Sequence, residues 1–402
     1  MSVIGVVCEY NPFHNGHAMH LDLSRLAVEP DAPLICVMSG DFVQRGEAAV
    51  YSKYARAEAA CRCGADLVIE LPLPWALSSA EGFARGAVGL LAALGATELC
   101  FGSETGELEP LEAVAHTVLD PGLQAEIRQR MAEDGALSYA AARQLAAEER
   151  LGETAALLRQ PNNILAVEYL KAIYSLNLPL QPVAIHRVGS GHDQESDGSA
   201  YYSASEVRKL LAAGKNVSHA VPEEAARIYA RERTLGREIR ERSYLEMAIL
   251  SRLRMLTEAE FLALPDAADG MGRRLFRAVR TEASLDAVLA AAKTKRYAMS
   301  RIRRMCMCAC LGIQEGMAKG AVPYARVLAA NGQGRELLRG IVDAGTIPVV
   351  TKPASVRRLS KQCQGLFGMG AYAHDFYVLG YPSVGERRPG EDWRTGPKIL
   401  DR

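Results

Sequence analysis

The first 103 residues of the chain alternate between short, continuous apolar runs and segments with helical character. The predicted strands lie at residues 2–10, 32–40, 65–72 and 97–103, and the predicted helices between them lie at residues 16–27, 54–64 and 79–95. Apolar runs without polar alternation are typical of parallel strands that are covered on both faces. Strands that alternate with helices at this spacing are joined by right-handed crossovers. The sequence therefore predicts an α/β fold with a doubly wound parallel sheet.

The chain that follows is predicted to be mainly helical. Helical character extends over residues 110–177, and a fifth strand at residues 180–189 returns the chain to the sheet. The polar, glycine- and serine-rich segment at residues 189–203 is predicted to be a surface loop. Ser203 and Glu206 then form a capping box, which indicates the start of another helix.

The composition is that of a globular protein with a sizeable core. The chain has 402 residues, of which 49% are hydrophobic and 23% are charged, and this length predicts two or three domains. We place one boundary after the capped helix. Residues 1–215 then form the sheet domain, and residues 216–402 form a mainly helical region that ends in a short mixed segment.

The sequence contains no recognisable targeting or membrane signal. No apolar run reaches the roughly 18 residues that cross a bilayer, and the N-terminus lacks a basic leader. Nine cysteines, an odd number, argue against a secreted disulfide framework. Cys306, Cys308 and Cys310 alternate too closely for a usual zinc site. We therefore expect buried free thiols, no metal site, no membrane partner and a cytoplasmic location.

Charge is distributed unevenly along the chain, although the formal net charge is zero. Residues 1–120 carry 16 acidic and six basic side chains, whereas residues 271–310 carry ten basic and two acidic ones. Arginines are dense at residues 272–280 and 293–305, where Tyr297 lies among them. Such runs are either solvated helix faces or a surface that binds a polyanion, and the sequence alone does not decide between the two.

The most informative motif is NPFHNGH at residues 11–17, between the first strand and the first helix. Open α/β sheets bind ligands at the carboxyl ends of their strands, and a helix N-terminus offers unpaired N–H groups to an anion. Gly16 allows a phosphate to approach the backbone, and His14 and His17 offer two imidazole donors. Phosphoryl and nucleotidyl transfer require positioning and charge neutralisation from a protein. We therefore interpret the two histidines as catalytic residues.

The residues around this motif resemble a known family. His14-Asn-Gly-His17 resembles the HxGH signature of the nucleotidyltransferase and class I aminoacyl-tRNA synthetase superfamily, whose members activate a substrate through the α-phosphate of ATP. Together with CEYNPFHNGHAMHL, five further segments resemble the bacterial tRNA(Met) cytidine acetate ligases: SGDFVQRGE (39–47), GADLVIELP (64–72), FGSE (101–104), PNNILAVEYLKA (161–172) and SASEVRKLL (203–211). The resemblance extends over nearly the whole chain and implies a Rossmann-like nucleotidyltransferase fold.

The resemblance implies a two-step reaction. Acetate attacks the α-phosphate of ATP and gives acetyl-adenylate and pyrophosphate. The exocyclic amine of the wobble cytidine of elongator tRNA(Met) then attacks the acetyl carbonyl, which yields N4-acetylcytidine and AMP. Because the sequence contains no Walker A string, ATP use would depend on the histidine pair and not on a P-loop.

The resemblance also implies which residues bind ATP. The segment at residues 7–20 would hold the phosphates and comprises Val7, Cys8, Glu9, Tyr10, Asn11, Pro12, Phe13, His14, Asn15, Gly16, His17, Ala18, Met19 and His20. Gly102 would approach the adenine or the ribose, Asn162 would form a hydrogen bond with the nucleotide, and Arg187 would meet a phosphate. Mg²⁺ would enter with ATP, mainly on its phosphates.

Four more residues have roles that the sequence leaves open. Ser205 and Arg208 occupy the place of the superfamily's second phosphate motif, which SASEVR matches only loosely. Gln44 and Arg45 follow the second predicted strand, on the side of the sheet that would face the nucleotide. The Arg45 guanidinium would pair either with the acetate carboxylate or with a tRNA phosphate.

The basic stretch of the helical region is assigned to tRNA, because cations that bind phosphates release counterions and arginines stack on unpaired bases. The candidate residues are Lys295, Arg296, Arg301 and Arg304. Two other functions stay open from sequence. A nucleotidyltransferase acting on a small phosphorylated metabolite would release pyrophosphate without acetate or tRNA. A non-catalytic protein would bind nucleotide and RNA without turnover.

Overall fold

A mostly parallel sheet with helices on both faces forms the centre of the molecule. The computed structural model describes residues 2–135, 137–187 and 202–401. Up to residue 187, the elements are β1 (Ile4–Cys8), α1 (Asn15–Ala27), β2 (Leu34–Ser39), β3 (Phe42–Val43), β4 (Glu47–Ala48), α2 (Lys53–Arg62), β5 (Leu67–Leu71), α3 (Leu73–Ala76), α4 (Ala80–Ala93), β6 (Glu98–Ser103), α5 (Leu108–Leu119), α6 (Pro121–Glu133), α7 (Tyr139–Leu151), α8 (Pro161–Ser175) and β7 (Gln181–His186). The five strands and the helices predicted from sequence in this part of the chain are thus confirmed.

The chain after residue 202 is mainly helical and ends in a mixed segment. Its elements are α9 (Ala204–Ala212), α10 (Glu223–Leu235), α11 (Glu246–Met255), α12 (Glu258–Leu262), α13 (Met271–Thr281), α14 (Leu285–Ala292), α15 (Met299–Leu311), β8 (Ala325–Ala330), α16 (Gly332–Ala344), β9 (Val349–Val350), α17 (Lys361–Tyr377) and β10 (Lys398–Ile399). Short 3₁₀ turns connect several of them. The expected helical character of this region is confirmed.

The order of strands across the sheet is β10-β8-β5-β2-β1-β6-β7. The short strand β9 also pairs with β8, at Ala325 and Arg326. Strands β1, β2, β5, β6 and β7 run parallel to one another, as in a doubly wound fold. The chain moves outward from β1 in one direction and then returns to β6 on its other side. The carboxyl ends of β1 and β6 therefore flank the reversal point, which is where such sheets bind ligands.

The central strands are buried on both faces, which explains why they read as continuous apolar runs. In β2, Ile35 and Val37 pack into a core with α4, α5 and α8, whereas Leu34, Cys36 and Met38 pack into a second core with α1, α2, α9 and α10. A third core holds the helices α11 to α15 together with part of α17. All nine cysteines are free thiols, and eight of them are buried, as expected from sequence.

The sheet differs from the prediction at its C-terminal edge. β8 pairs antiparallel with β5, so the sheet is mixed and not entirely parallel. β9 and β10 both run parallel to β8. Residues 325–399 therefore return to the sheet that was expected to end within residues 1–215. The run ARVLAA in β8 is short and alanine-rich, so its strand state depends on pairing with β5 and has little local signal.

Two further sequence predictions concern the polar loop before α9 and the absence of membrane-spanning segments. The polar loop expected at residues 189–203 lies outside the described residues up to residue 201. Among the helices that the structure describes, none combines the length and the apolar character needed to cross a membrane.

Candidate active site

A large cleft opens at the carboxyl ends of β1 and β6. Its volume is about 1220 Å³, and residues from both halves of the chain line it. Of the residues predicted from sequence to bind ATP, those in the cleft wall are Val7, Cys8, Glu9, Tyr10, Asn11, His14, Gly16, His17, Met19, His20, Gly102, Asn162 and Arg187. Gln44, Arg45 and Arg208 also line it, as do all four predicted tRNA residues.

The HNGH turn holds its two imidazole rings side by side at the start of α1. The ring centroids of His14 and His17 are 3.7 Å apart, with an angle of 31° between the ring planes. His14 is the N-cap of α1, and its Nδ1 accepts a hydrogen bond from the amide of Gly16 at 3.1 Å. The Nδ1 of His17 in turn accepts from the amide of His14 at 3.3 Å. These reciprocal bonds form a capping box built from two histidines.

The capping bonds determine which nitrogen of each ring carries the proton. A neutral imidazole that accepts at Nδ1 has its N–H at Nε2. Both His14 and His17 therefore present an Nε2–H donor while their Nδ1 atoms satisfy the helix N-terminus. Two such donors next to the positive end of the α1 dipole form a site suited to a phosphate whose charge increases during cleavage.

The backbone before the histidines is held from several directions. The Oδ1 atom of Asn11 accepts from the amide of Val50 at 2.9 Å, and its carbonyl accepts from the Arg208 guanidinium at 2.7 Å. The amide of Phe13 donates to the hydroxyl of Tyr229 at 2.9 Å. These contacts come from distant parts of the chain and restrict the position of the turn. Arg208 therefore stabilises the backbone of the turn through Asn11, and its contact with a phosphate stays a prediction.

The wall formed by β6 and β7 brings together the three isolated residues that were predicted to bind nucleotide. Arg187 Nη1 donates to Asn162 Oδ1 at 2.7 Å. A Cβ atom at Gly102 would lie 3.0 Å from Cγ of Arg187, so the absence of a side chain lets the arginine lie against β6. Glu104 accepts from the amide and the side chain of Asn162 at 3.0 and 2.7 Å, and so orients this residue at the start of α8.

His20 lies one turn after His17 and has a different electrostatic state. Burial and the positive charge of Arg187 lower the pKa of His20 to about 4, so the ring is neutral at pH 7. Its Nε2 atom is buried and has no hydrogen-bond partner among the described residues. An unpaired polar atom in a cleft wall is expected to be satisfied by water or by a ligand.

The hairpin of β3 and β4 projects its tip into the cleft. Gln44 and Arg45 form this tip with Gly46, which has a φ of +76°. A Cβ atom at Gly46 would lie 2.4 Å from backbone atoms of Arg303 and Arg304, so the hairpin packs directly on α15. The Arg45 guanidinium makes no hydrogen bond or ion pair with any described residue. Its charge acts on the carboxyl of Glu9, which also lines the cleft.

The basic segment, residues 293–304, forms another part of the cleft wall. Lys295 is exposed, and the Arg301 guanidinium lies 4.3 Å from the ring centroid of Tyr297. Arg304 is only 8% exposed and forms an ion pair with Asp266 at 3.3 Å, so its charge is compensated within the protein. Arg304 also lines the cleft, and its contact with RNA stays a prediction.

Five of the predicted ligand-binding residues do not line the cleft: Pro12, Phe13, Asn15, Ala18 and Ser205. Phe13 is fully buried in the core beside α1. The Nδ2 atom of Asn15 donates to the carbonyl of His219 at 3.0 Å. Ser205 Oγ lies 3.3 Å from Ser203 Oγ, and Ser203 caps α9 through a capping box with Glu206, as the sequence predicted.

Several residues of the cleft gave no functional signal in the sequence. Glu47 pairs with Arg303 at 2.8 Å and with Arg242 at 3.1 Å, and so connects the hairpin to the helical region. Arg143 and Glu168 form an ion pair within another part of the wall. Glu47 and Glu168 lie in segments that carry the family resemblance, but their pairing with Arg303 and Arg143 joins residues 256 and 25 positions apart, so the sequence did not show it.

A buried charged cluster supports the carboxyl ends of β2 and β5 below the cleft. Lys53 is fully buried and its Nζ lies 2.9 Å from Glu70 Oε1 and 2.6 Å from Asp392 Oδ2. Arg56, also fully buried, donates to the carbonyl oxygens of Glu9 and Tyr51 at 2.5 and 2.9 Å. These cations hold the loops that carry the site.

Among residues 2–135, 137–187 and 202–401, no group of three or more metal-ligating His, Cys, Asp or Glu side chains is present. The carboxylate of Glu9 lines the cleft, but its Oε1 accepts from the amide of Gln44 at 2.7 Å. The described side chains therefore provide no preformed cage for a divalent cation.

With this geometry established, the chain can be compared with known proteins. The model of a family described as HIGH Nucleotidyl Transferase matches residues 1–392. A tRNA(Met) cytidine acetate ligase from Thermosipho africanus is 33% identical over 424 aligned residues, and the alignment covers both chains completely. The chain belongs to the tRNA(Met) cytidine acetate ligase family. Another member, from Syntrophotalea carbinolica, is 36% identical, with 92% of this chain and 88% of the relative covered.

Solved structures of the tRNA(Met) cytidine acetate ligase family have the same fold. The apo crystal structure of Thermotoga maritima TmcAL matches with a TM-score of 0.94 and 31% identity, with both chains fully covered. A second crystal form of that protein, bound with alpha-thio ATP, matches with a TM-score of 0.91 and 32% identity. The α/β nucleotidyltransferase fold expected from sequence is thus confirmed.

Proposed function

We propose that this chain is an ATP-dependent acetate ligase that acts on elongator tRNA(Met). Acetate attacks the α-phosphate of ATP and releases pyrophosphate. The N4 amine of the wobble cytidine then attacks the carbonyl of acetyl-adenylate, loses a proton and releases AMP. The observation that carries the proposal is the pair of histidines, His14 and His17, which line the same cleft as the basic segment. The relative from Thermosipho africanus, a tRNA(Met) cytidine acetate ligase, aligns with the whole of this chain.

We assign ATP to the side of the cleft formed by α1, β6 and α8. The Nε2–H groups of His14 and His17 would donate to phosphate oxygens and stabilise the charge that develops as the α–β bond breaks. Asn162 and Arg187, held together by their hydrogen bond, would contact the nucleoside and a phosphate. Mg²⁺ would be bound by the ATP phosphates, because hard oxygen ligands of this kind suit it and the described side chains form no cage for it.

We assign acetate to the hairpin tip. The guanidinium of Arg45 lines the cleft and makes no hydrogen bond or ion pair with another described residue. Arginine binds carboxylates through two parallel hydrogen bonds. Gln44 lies beside it and is kept in place through the bond from its amide to Glu9. Pairing with a tRNA phosphate remains the alternative for Arg45.

We assign the tRNA backbone to the basic segment, where Lys295, Arg296 and Arg301 reach the cleft. Arg304 would act indirectly, by pairing with Asp266, which also approaches Arg301 at 3.7 Å. The reaction would take place in the cytoplasm, where its tRNA and ATP are found.

One assay tests the whole proposal. The purified protein is incubated with ATP, labelled acetate and total tRNA, and the tRNA is then digested and analysed for nucleosides. The expected result is labelled N4-acetylcytidine, formed with equal amounts of AMP and pyrophosphate. Pyrophosphate release that needs neither acetate nor tRNA would indicate a metabolite nucleotidyltransferase instead, and binding of ATP without turnover would indicate a non-catalytic protein.

A further inference from the structure

A recess extends the cleft between α4, α7 and α8, beyond the residues assigned to ATP. Its wall includes Phe83, Tyr139, Arg143, Glu168, Tyr169 and Lys171. Glu168 follows Asn162 on α8 by six residues, which at 1.5 Å per residue places it roughly 9 Å further along the helix axis. The cleft volume of about 1220 Å³ exceeds the roughly 300–1,000 Å³ of a typical small-molecule site. The cleft therefore has room for a second group beside ATP.

The polar floor of this recess is a buried ion triad. Glu168 Oε1 lies 3.3 Å from Arg143 Nη1, and Glu168 Oε2 lies 2.6 Å from Lys171 Nζ. The three residues are 7%, 5% and 8% exposed in the order Arg143, Glu168, Lys171. Lys171 Nζ also lies 3.8 Å from Oε1 of the exposed Glu81, and the Nε of Arg143 has no hydrogen-bond partner within the described residues. Burying such charges is costly, and a packing role could be served by apolar side chains.

Aromatic rings lie next to these polar groups. Tyr139 is 44% exposed, and its ring centroid lies 6.0 Å from the guanidinium carbon of Arg143. Phe83 and Tyr169 are buried in the wall. Single-stranded bases are typically bound by stacking on such rings, with donors and acceptors directed at the base edge.

The recess adjoins the basic segment. Arg296 Nη1 donates to the carbonyl of Gly135 at 3.3 Å, just before the start of α7. Tyr139 is the first residue of α7. An RNA backbone bound along the basic segment would therefore pass close to the entrance of the recess.

We propose that this recess binds the base of the wobble cytidine during acetyl transfer. The inference rests on the proposed function and adds the residues that select the base. The edge of cytosine presents an amine donor beside a ring nitrogen and a carbonyl oxygen, both acceptors. Glu168 accepts from the amine, Arg143 and Lys171 donate to the acceptors, and Tyr139 stacks on the ring. These are positioning and specificity residues, and no covalent step is assigned to them.

The test separates the two half-reactions in the full-length enzyme. Glu168→Gln keeps the size of the side chain and removes its charge. Acetate-dependent exchange of pyrophosphate into ATP should stay within twofold of wild type, because that step does not involve tRNA. The kcat/KM for tRNA acetylation should fall about 100-fold. The Kd for tRNA should change little, because phosphate contacts dominate it.

A second measurement detects base selection directly. Two anticodon stem–loop RNAs that differ only in cytidine or uridine at the wobble position are compared as competitive inhibitors. The wild type should prefer the cytidine RNA, and Glu168→Gln should reduce this preference about tenfold. A purely structural ion pair would not affect the ratio of the two inhibition constants.

Three further variants distinguish a loss of base binding from misfolding. Tyr139→Leu removes an exposed ring and should lower acetylation, whereas Tyr139→Phe should retain it. Glu149→Gln is the matched control, because it breaks an ion pair of 2.6 Å between α7 and Arg130 that does not line the cleft. It should leave both half-reactions unchanged.

Other outcomes would contradict the base site or the proposed function. Equal loss of exchange and acetylation in Glu168→Gln, or an unchanged preference for cytidine, would overturn the recess as a base site. Wild-type protein without acetate-dependent exchange would overturn the proposed function, and the base site with it.

Discussion

The histidine turn combines two tasks in the same side chains. The Nδ1 atoms of His14 and His17 satisfy backbone amides at the start of α1, which leaves the proton of each neutral ring on Nε2. A serine or aspartate cap would satisfy the amides equally well. Histidine adds a second nitrogen that donates from a fixed direction. The helix cap thus determines the protonation pattern of the residues to which we assign catalysis.

His17→Ala should therefore lower adenylate formation about 100-fold or more, which is the usual effect of removing one preorganised donor. Acetate-dependent pyrophosphate exchange measures this step. His116→Ala removes an exposed histidine on α5, which does not line the cleft, and should have no effect. Normal exchange in His17→Ala would contradict the assignment of the phosphates to this turn.

At the scale of elements, the short hairpin of β3 and β4 joins the two halves of the site. Its tip carries Gln44 and Arg45, and Gly46 allows it to touch the backbone of α15. Glu47 pairs with Arg303 on the same helix. The hairpin is thus fixed between the nucleotide side of the cleft and the basic wall.

Gly46→Ala should weaken this contact. A Cβ atom would clash with α15 at 2.4 Å, and a φ of +76° is unfavourable for alanine. We expect the free energy of unfolding in urea to fall by more than about 1 kcal/mol, together with a higher KM for acetate. Gly89→Ala in α4 is the control, because nothing lies within 4 Å of its Cβ position. It should stabilise the protein by up to about 1 kcal/mol.

The basic segment should determine the salt dependence of tRNA binding. In the triple variant Lys295→Ala, Arg296→Ala and Arg301→Ala, the slope of log Kd against log salt concentration should fall by about 2–3. Pyrophosphate exchange should be retained. An equal number of exposed arginines away from the cleft serve as control: Arg335, Arg339 and Arg358. An unchanged slope would place the tRNA elsewhere.

At the scale of the whole molecule, the C-terminal chain completes the sheet and supports the site from below. Asp392 reaches Lys53 at 2.6 Å and Arg326 at 2.6 Å. His374 lies between two carboxylates, with Nδ1 2.9 Å from Asp41 and Nε2 3.0 Å from Glu391. The helix α17 and the 3₁₀ turn Glu391–Trp393 are therefore part of the same charged cluster as the carboxyl ends of β2 and β5.

This cluster predicts how stability depends on pH. Burial opposes the charged form of His374, but Asp41 and Glu391 outweigh it and raise the pKa to about 10. Because the folded pKa exceeds the unfolded value near 6.5, the stabilisation is complete below pH 6.5 and is lost as pH rises through about 10. The pKa of Asp41 is shifted the other way, below its ordinary value. Burial raises it, but the charges of His374 and Lys53 lower it to about 2. Its contribution is present above pH 4 and is lost as pH falls through about 2.

His374→Gln should therefore lower the free energy of unfolding more at pH 6 than at pH 9.5. Wild-type stability should decrease with pH between these values, by at most about 1.4 kcal/mol per pH unit. Urea denaturation of both proteins at the two pH values provides the comparison. Parallel curves for variant and wild type would show that His374 is not charged in the folded state.

Local sequence was sufficient for the parts of the fold that have a local signal. Continuous apolar runs predicted β1, β2, β5 and β6, because a strand buried on both faces has no polar alternation. The edge strand β7 was predicted as well, although it is only partly buried. The HNGH motif led to the prediction of a phosphate site, because a strand-to-helix turn with two histidines and a glycine has few structural uses, and His14, Gly16 and His17 line the cleft. The capping box at Ser203 was likewise readable from four adjacent residues.

Tertiary structure decided what depends on distant partners. β8 is a strand because it pairs with β5, and Lys53 is buried because Asp392 neutralises it from the other end of the chain. The recess at Arg143 and Glu168 and the internal pairing of Arg304 have the same origin. Sequence specifies the short-range pattern of apolar and polar groups, whereas charge compensation and antiparallel pairing across hundreds of residues exist only once the chain has folded.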